Sequence, residues 1–207
     1  MSFYLHVGAG VVGLVVGLIA LTSEKGGRVH VSAGRAFAVC MLAAAVTTLV
    51  FMVKRPVGIA AFAALLAVYL VGTALLAIRP RKPRSRSLEI VLSLWAVGLI
   101  GLLLRLMWMN RIEFPERIPV LGVFVLIVGA LIAGDVRILR SPPSNRGPWV
   151  SRHLLRMCLA FAVAVQAAAV TNQQRLGLPP PVAMLGPFPA MCVVAWFFWR
   201  RVKKAGA

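Results

Sequence analysis

Acidic side chains are nearly missing from this chain of 207 residues. Five Asp and Glu stand against 23 Lys and Arg, for a formal net charge of +18. Charged residues of both signs make up only 14% of the sequence, 60% is apolar, and mean hydropathy is +0.90. Soluble domains carry about 25% charged residues. A soluble globule of this size has no interior large enough for so much apolar surface, and a disordered chain has the opposite composition. What remains is a polytopic membrane protein. The sequence pI near 11.8 suggests a nucleic-acid binder. That class is excluded because the basic residues sit in short clusters between long apolar runs, where they act as topology signals.

Other absences remove further classes. The three cysteines, Cys40, Cys158 and Cys192, all lie inside apolar runs, and there is no CxxC pair. A disulfide framework is therefore not expected, and small buried hydrophobes are. No HExxH and no GxxxxGK[ST] occurs, which leaves metallohydrolase and P-loop chemistry without support. The last apolar run, 180–199, holds no lysine for a retinal Schiff base. No Asp or Glu is central to any apolar run, against the habit of ion pumps.

What is present is a series of apolar runs of bilayer width. A spanning helix needs about 20 mostly apolar residues. Seven segments qualify: 4–22, 36–53, 57–78, 88–109, 118–139, 150–172 and 180–199. The expected fold is all-α, one transmembrane domain over 1–207 forming a single seven-helix bundle. Lys54-Arg55-Pro56 reads as a tight outer turn. The connectors after the first, third and fifth spans, with the tail, hold 16 Lys and Arg, against 5 on the other side. The positive-inside rule then places the N-terminus outside and the C-terminus in the cytoplasm of a plasma or inner membrane. No Lys or Arg precedes Lys25, so the first helix is expected to be a retained span and not a cleaved signal. Trp149, Trp196 and Trp199 fall near cytoplasmic helix ends and Trp108 near an outer end, as an aromatic belt would. Segment 79–86 is a basic cytoplasmic loop that can meet anionic lipid heads.

Small residues mark packing faces. Ala9, Gly13 and Gly17 recur every fourth residue on the first span, which lets another backbone approach closely. Intramolecular bundling is the expected use, with a homodimer or a membrane partner protein as the alternative. The first and fifth spans are each followed by a short basic connector that ends in a histidine, His30 and His153. This is a pattern a parallel repeat would give.

Polar groups inside a bilayer are costly and are therefore functional candidates. His6 lies near the outer end of the first span. His30 and His153 start the second and sixth spans on the cytoplasmic side, and Asp135 lies near the cytoplasmic end of the fifth. Two imidazoles and a carboxylate at one depth can bind a divalent metal. His30 and His153 alone can ligate one haem iron. About 25 Å of helix separates His6 from His30, so His6 is a separate, outer-side metal candidate. There Met52, Met107, Met109 and Met184 offer thioethers that suit Cu(I). The plainer readings are solvated or headgroup-bound histidines, and Asp135 neutralised by Arg137 or Arg140. Arg105 snorkels towards Trp108. Gln166, mid-span in the sixth helix, is an interhelical hydrogen-bond partner, and Gln166 and Ser93 are the main polar groups that a transporter's mid-depth cavity could use. His153 and Met157 share a helix face.

His6, Lys25-Gly26-Gly27-Arg28-Val29-His30, Gly34-Arg35 and Met41, followed by His153 and Met157, read as H…KGGxxHxxxGR…HxxxM. An Ala-rich helix, Pro179-Pro180-Pro181 and Gly186-Pro187 come after. The pattern resembles a broad prokaryotic family of uncharacterised multi-pass membrane proteins known only by a domain-of-unknown-function label. The resemblance covers most of the chain. It implies a membrane architecture and points to His6, His30, Gly34, Arg35, His153 and Met157. Cys158-Leu159-Ala160-Phe161 departs from the polar or aromatic residue expected after Met157.

Three function classes stay open. The first is an integral membrane protein acting through binding or assembly, with no catalytic machinery. The second binds haem b or a divalent metal in electron transfer or redox sensing. The third is a small transporter.

Overall fold

The computed structural model describes residues 2–54, 57–78 and 83–205. Arg55 and Pro56 of the expected outer turn lie outside the described residues, as do 79–82 of the basic loop. The described residues form a helical bundle with no strand. Its order is α1 (Ser2–Thr22), α2 (Arg28–Lys54), α3 (Gly58–Ala77), α4 (Pro83–Asn110), a 3-10 turn (Pro115–Arg117), α5 (Ile118–Arg140), α6 (Gly147–Thr171), α7 (Gln173–Leu176), α8 (Pro180–Leu185) and α9 (Pro187–Ala205). Seven stretches are long and apolar enough to cross a bilayer: Tyr4–Thr22, Arg28–Val53, Gly58–Ala77, Arg86–Asn110, Pro115–Arg140, Gly147–Thr171 and Pro180–Arg201. The chain is a multi-pass membrane protein by this measure. Large apolar side chains such as Leu94, Leu126 and Val193 stand on the outside, where lipid tails replace water.

Helix ends depart from the sequence reading in several places: α4 begins at Pro83 and not near 88, so 83–86 of the expected basic loop is helical. The second helix begins at Arg28 and not near 36, so His30 lies in its first turn. The connector shrinks to a tight turn in which Gly26 adopts a φ of 84°, a conformation costly for any residue with a Cβ. The Gly27 N–H donates to Glu24 O at 3.1 Å. The seventh span is interrupted at Gly186. A Cβ there would sit 2.6 Å from Val182 O. Pro187 and Pro189 bring no N–H to bridge the break.

Two compact units divide the chain. The first holds Met1–Val71 and Leu159–Met191, the second Gly72–Cys158 and Cys192–Ala207. In the first unit α1 and α2 run antiparallel. The small-residue stripe of α1 serves this packing. A Cβ on Gly13 would lie 3.3 Å from Cys40 Cβ, and one on Gly17 would lie 2.7 Å from the Phe161 ring and 2.9 Å from Phe37. Phe37 and Phe161 are tilted partners at 6.0 Å. In the second unit α4 packs along α5. Of the cysteines, Cys158 is buried, Cys40 is half-buried and Cys192 is exposed. The expectation of a buried Cys192 is thus corrected: its position on α9 faces outward.

Candidate functional site

The second unit gathers six buried polar side chains. They are Thr73 near the end of α3, Glu89 and Ser93 on α4, Asp135 on α5, and Arg152 and Arg156 on α6. Arg152 and Arg156 are four residues apart, so one helix face carries both. Arg156 Nη2 donates to Asp135 Oδ1 at 2.6 Å and to Leu131 O at 3.1 Å, and its Nη1 reaches Thr73 Oγ1 at 3.3 Å. Arg152 Nη2 donates to the same Asp135 oxygen at 3.0 Å, and its Nη1 donates to Glu89 Oε1 at 3.1 Å. Ser93 Oγ donates to the Glu89 backbone carbonyl at 2.9 Å. A continuous polar chain, Thr73–Arg156–Asp135–Arg152–Glu89, thereby ties four helices together.

Two guanidiniums and two carboxylates sum to zero formal charge. Their side chains are 1% exposed at Asp135, 3% at Arg156, 6% at Arg152 and 11% at Glu89. Burying an ion costs several kcal/mol, which only good pairing and hydrogen bonding offset. Asp135 has that in full, with two guanidiniums on one oxygen. Glu89 has less, because its carboxylate meets Arg152 through a single nitrogen. Arg152 Nε is buried and has no hydrogen-bond partner among the described residues. The Trp149 ring centroid lies 5.9 Å from Arg152 Cζ.

The pairing corrects the expected neighbours of Asp135. Arg137 and Arg140 are both exposed. Arg137 is two residues away on the same helix and so faces elsewhere. Arg152, read as a loop charge, lies inside α6. Removing it from the inner count leaves the basic asymmetry intact. Glu89 and Arg156 were not singled out from sequence. The available signal was a pair of arginines at i,i+4, one of them well inside an apolar run, with Glu89 and Asp135 each within a few turns of a helix end.

The histidines share one local arrangement. His153 Nδ1 lies 2.9 Å from Ala74 O, in the last turn of α3. His30 Nδ1 lies 2.9 Å from Ala20 O, in the last turn of α1. His6 Nδ1 lies 3.2 Å from Ala44 O and 3.1 Å from Thr47 Oγ1. A carbonyl only accepts, so each Nδ1 carries the hydrogen. For His30 and His153 the partners are carbonyls that the helix end leaves partly unsatisfied, and donors near a C-terminus are favoured. Lys25 Nζ joins His30 there, 3.3 Å from Ala20 O and 2.6 Å from Leu21 O.

His30 belongs to the first unit, and His153 and Asp135 to the second. Among the described residues no group of three or more His, Cys, Asp or Glu gathers to hold a metal ion. At Asp135, two guanidiniums put positive charge where a divalent cation would have to sit. Arg35 is exposed, Gly34 and Met157 are half-buried, and Gln166 is buried in the second half of α6. Arg105 is exposed on α4, as is Trp108, over whose ring lies Arg111, its guanidinium carbon 3.3 Å from the ring centroid. The spacing Gly8-Ala9-Gly10-Val11-Val12-Gly13 matches a dinucleotide fingerprint by letter. It runs inside α1 with no strand before it, so it cannot make the strand–turn–helix that the fingerprint requires.

No family model, no curated protein and no solved structure matches this chain.

Proposed function

We propose that this chain is an integral membrane protein that acts by binding and assembly and has no catalytic machinery of its own. The observation that carries this reading is that its buried charged side chains are paired with one another, two guanidiniums with two carboxylates. Asp135 accepts from both arginines, Glu89 from one, and Arg156 also reaches Thr73 and Leu131 O. Such a network fixes which helices pack together and in what register, a use for which buried polar groups are known. It supplies a rigid, polar-centred scaffold on which a ligand or a second membrane protein is held. The basic asymmetry of the connectors puts the polar centre towards the cytoplasmic leaflet of the cell membrane, with the C-terminus inside. Chemical cross-linking in native membranes followed by purification in nanodiscs tests the reading. A defined homodimer or a stoichiometric partner is expected. A lone monomer carrying stoichiometric iron or copper would overturn it.

A second reading has its own observation. Nδ1–H donated to a carbonyl is how a ligating imidazole is oriented with its Nε2 forward, and both His30 and His153 make that contact. On this reading each of the two histidines, within its own unit, offers its Nε2 to haem b or a divalent metal, while Asp135 serves the ion network. A Soret band that disappears in His30→Ala and in His153→Ala would establish it. A colourless, metal-free protein after expression with added haem would remove it.

A further inference from the structure

Arg28 and Arg35, in the first two turns of α2, are both exposed and have no ion-pair partner among the described residues. With Gly26, Val31 and Ser32 they line an open basin of about 370 Å³ that no acidic side chain borders. Positions 28, 32 and 35 fall on one helix face, so two guanidiniums flank one hydroxyl. The other basic residues of this turn are committed elsewhere. Lys25 Nζ and His30 Nδ1 meet carbonyls at the end of α1. The depth of the basin follows from the helix length. The spanning stretch Arg28–Val53 has 26 residues, about 39 Å of helix, against a hydrocarbon layer of about 30 Å. Residues 36–53 carry no charge, so the surplus falls at the Arg28 end and the basin sits among the headgroups. Below Arg35 the same face runs on through Val39, Leu42 and Val46, all exposed. A cationic basin over an apolar track matches a phospholipid, with phosphate above and acyl chain below. A free phosphate would use the arginines and not the track.

We propose that Arg28 and Arg35 hold the phosphate of an anionic phospholipid, whose acyl chain lies along Val39, Leu42 and Val46. Each guanidinium presents a planar fork of N–H donors that suits phosphate oxygens, and Ser32 Oγ adds a hydroxyl donor. Two cations with no acid in the basin select a headgroup of net negative charge. The choline of phosphatidylcholine would bring a third positive charge to the same place. Binding is non-covalent and of the kind that basic pockets beside spanning helices offer to anionic headgroups. Gly27, before the first turn of α2, has no side chain to cap it, and the helix N-terminus adds partial positive charge at the same end. The site lies wholly in the first unit, while the ion network belongs to the second. It goes beyond the assembly reading and does not depend on it.

The test uses the full chain in detergent, titrated with phosphatidylglycerol and, separately, with phosphatidylcholine. Native mass spectrometry counts the lipids retained and gives the affinity of the first. One phosphatidylglycerol is expected to bind more tightly than any phosphatidylcholine. Replacing both arginines, Arg28→Gln with Arg35→Gln, should weaken that first lipid by about tenfold or more. The control pair, Arg200→Gln with Arg201→Gln, removes the same charge from exposed positions on α9 and should weaken it by about twofold or less. Arg28→Lys with Arg35→Lys keeps the charge and the threading but loses the forks, and should bind several-fold more weakly than wild type. Equal losses in the two glutamine pairs would mean diffuse attraction to the whole chain and would overturn the proposal. So would wild-type affinity in the lysine pair, or equal affinity for the two lipids. If the glutamine pair at 28 and 35 does not fold, the lysine pair decides the matter. Inorganic phosphate, added at the concentration that half-saturates phosphatidylglycerol, should leave the bound lipid in place. Its displacement by phosphate would assign the basin to a free anion and would also overturn the proposal.

Discussion

Arg156 and Asp135 meet at 2.6 Å with both side chains almost wholly withdrawn from the surface. They come from different helices, 21 residues apart in sequence. Either charge buried there without the other would be destabilising, because the cost of stripping water from an isolated ion runs to several kcal/mol. Each is the reason the other is tolerated.

The first prediction follows from that dependence. Asp135→Asn leaves two guanidiniums facing each other without their shared carboxylate. A loss of about 3–5 kcal/mol is expected, as for breaking a buried pair. Arg156→Gln alone should cost a similar amount. The double substitution should cost less than the sum of the two, by about 1–3 kcal/mol, the coupling typical of groups in one network. Unfolding of the nanodisc-embedded protein measures all three. Additive losses would mean that the two side chains do not act as a pair.

A second prediction separates the two uses of the small residues on α1. Gly17 faces Phe161 and Phe37 at distances that leave no room for a methyl group. Gly17→Ala should destabilise the protein by about 1–3 kcal/mol through overpacking. Phe161→Leu should relieve part of that loss. Gly8 and Gly10 have nothing within 4 Å of an added Cβ. Gly8→Ala and Gly10→Ala should be neutral or stabilise by about 0.5–1 kcal/mol, from the lower entropy cost of alanine. A dimer that Gly8→Ala or Gly10→Ala breaks apart would instead show that this face holds a second copy.

The spans were legible because each is an uninterrupted apolar run of about bilayer width, and no packing detail is needed to see that. The start of α2 was not, because Arg28 to Gly34 is polar enough to read as a loop. It is helical because Gly26 turns the chain early and His30 finds the end of α1. The candidate site was half visible. Asp135 stood out as an acid near a helix end, but its partners lie on α6, and sequence neighbours drew attention to Arg137 and Arg140 instead. Residues two apart on a helix do not face each other, so Arg137 was discountable from sequence. Only the packing of α5 against α6 names Arg156. The histidines were recognised as unusual. Their hydrogen bonds to carbonyls on other helices depend on antiparallel neighbours that no local pattern encodes.

Loss of a histidine should be mild beside loss of Asp135. His30→Ala removes one donor from Ala20 O, which Ser23 Oγ and Lys25 Nζ still reach at 3.3 Å each. A cost of about 0.5–1.5 kcal/mol is expected, near the lower end because the carbonyl keeps partners. His153→Ala, which removes the donor to Ala74 O, should cost at least as much as His30→Ala. Thermal unfolding and the visible spectrum should be recorded on the same samples. A large drop in stability together with loss of absorbance near the Soret region would mean that the imidazoles hold a haem and do more than satisfy helix ends.

The direction of threading gives the last prediction. Seven crossings put the two termini on opposite sides of the bilayer, and the basic clusters select which side is which. Arg152 and Arg156 take no part in that choice, because their charges are consumed by Glu89 and Asp135. The clusters that decide are the exposed ones, with Arg137 and Arg140 in the last turn of α5, Arg146 just after it, and Arg200 and Arg201 on α9. Arg200 and Arg201 lie 3.9 and 4.3 Å over the Trp196 and Phe197 rings, an arrangement suited to the headgroup layer. In a bacterial host, a fluorescent protein fused after Ala207 should light up and an alkaline phosphatase fused there should stay inactive. Arg152→Gln and Arg156→Gln should leave that outcome unchanged while lowering stability. Active phosphatase at the C-terminus would reverse the threading and move the ion network to the outer leaflet.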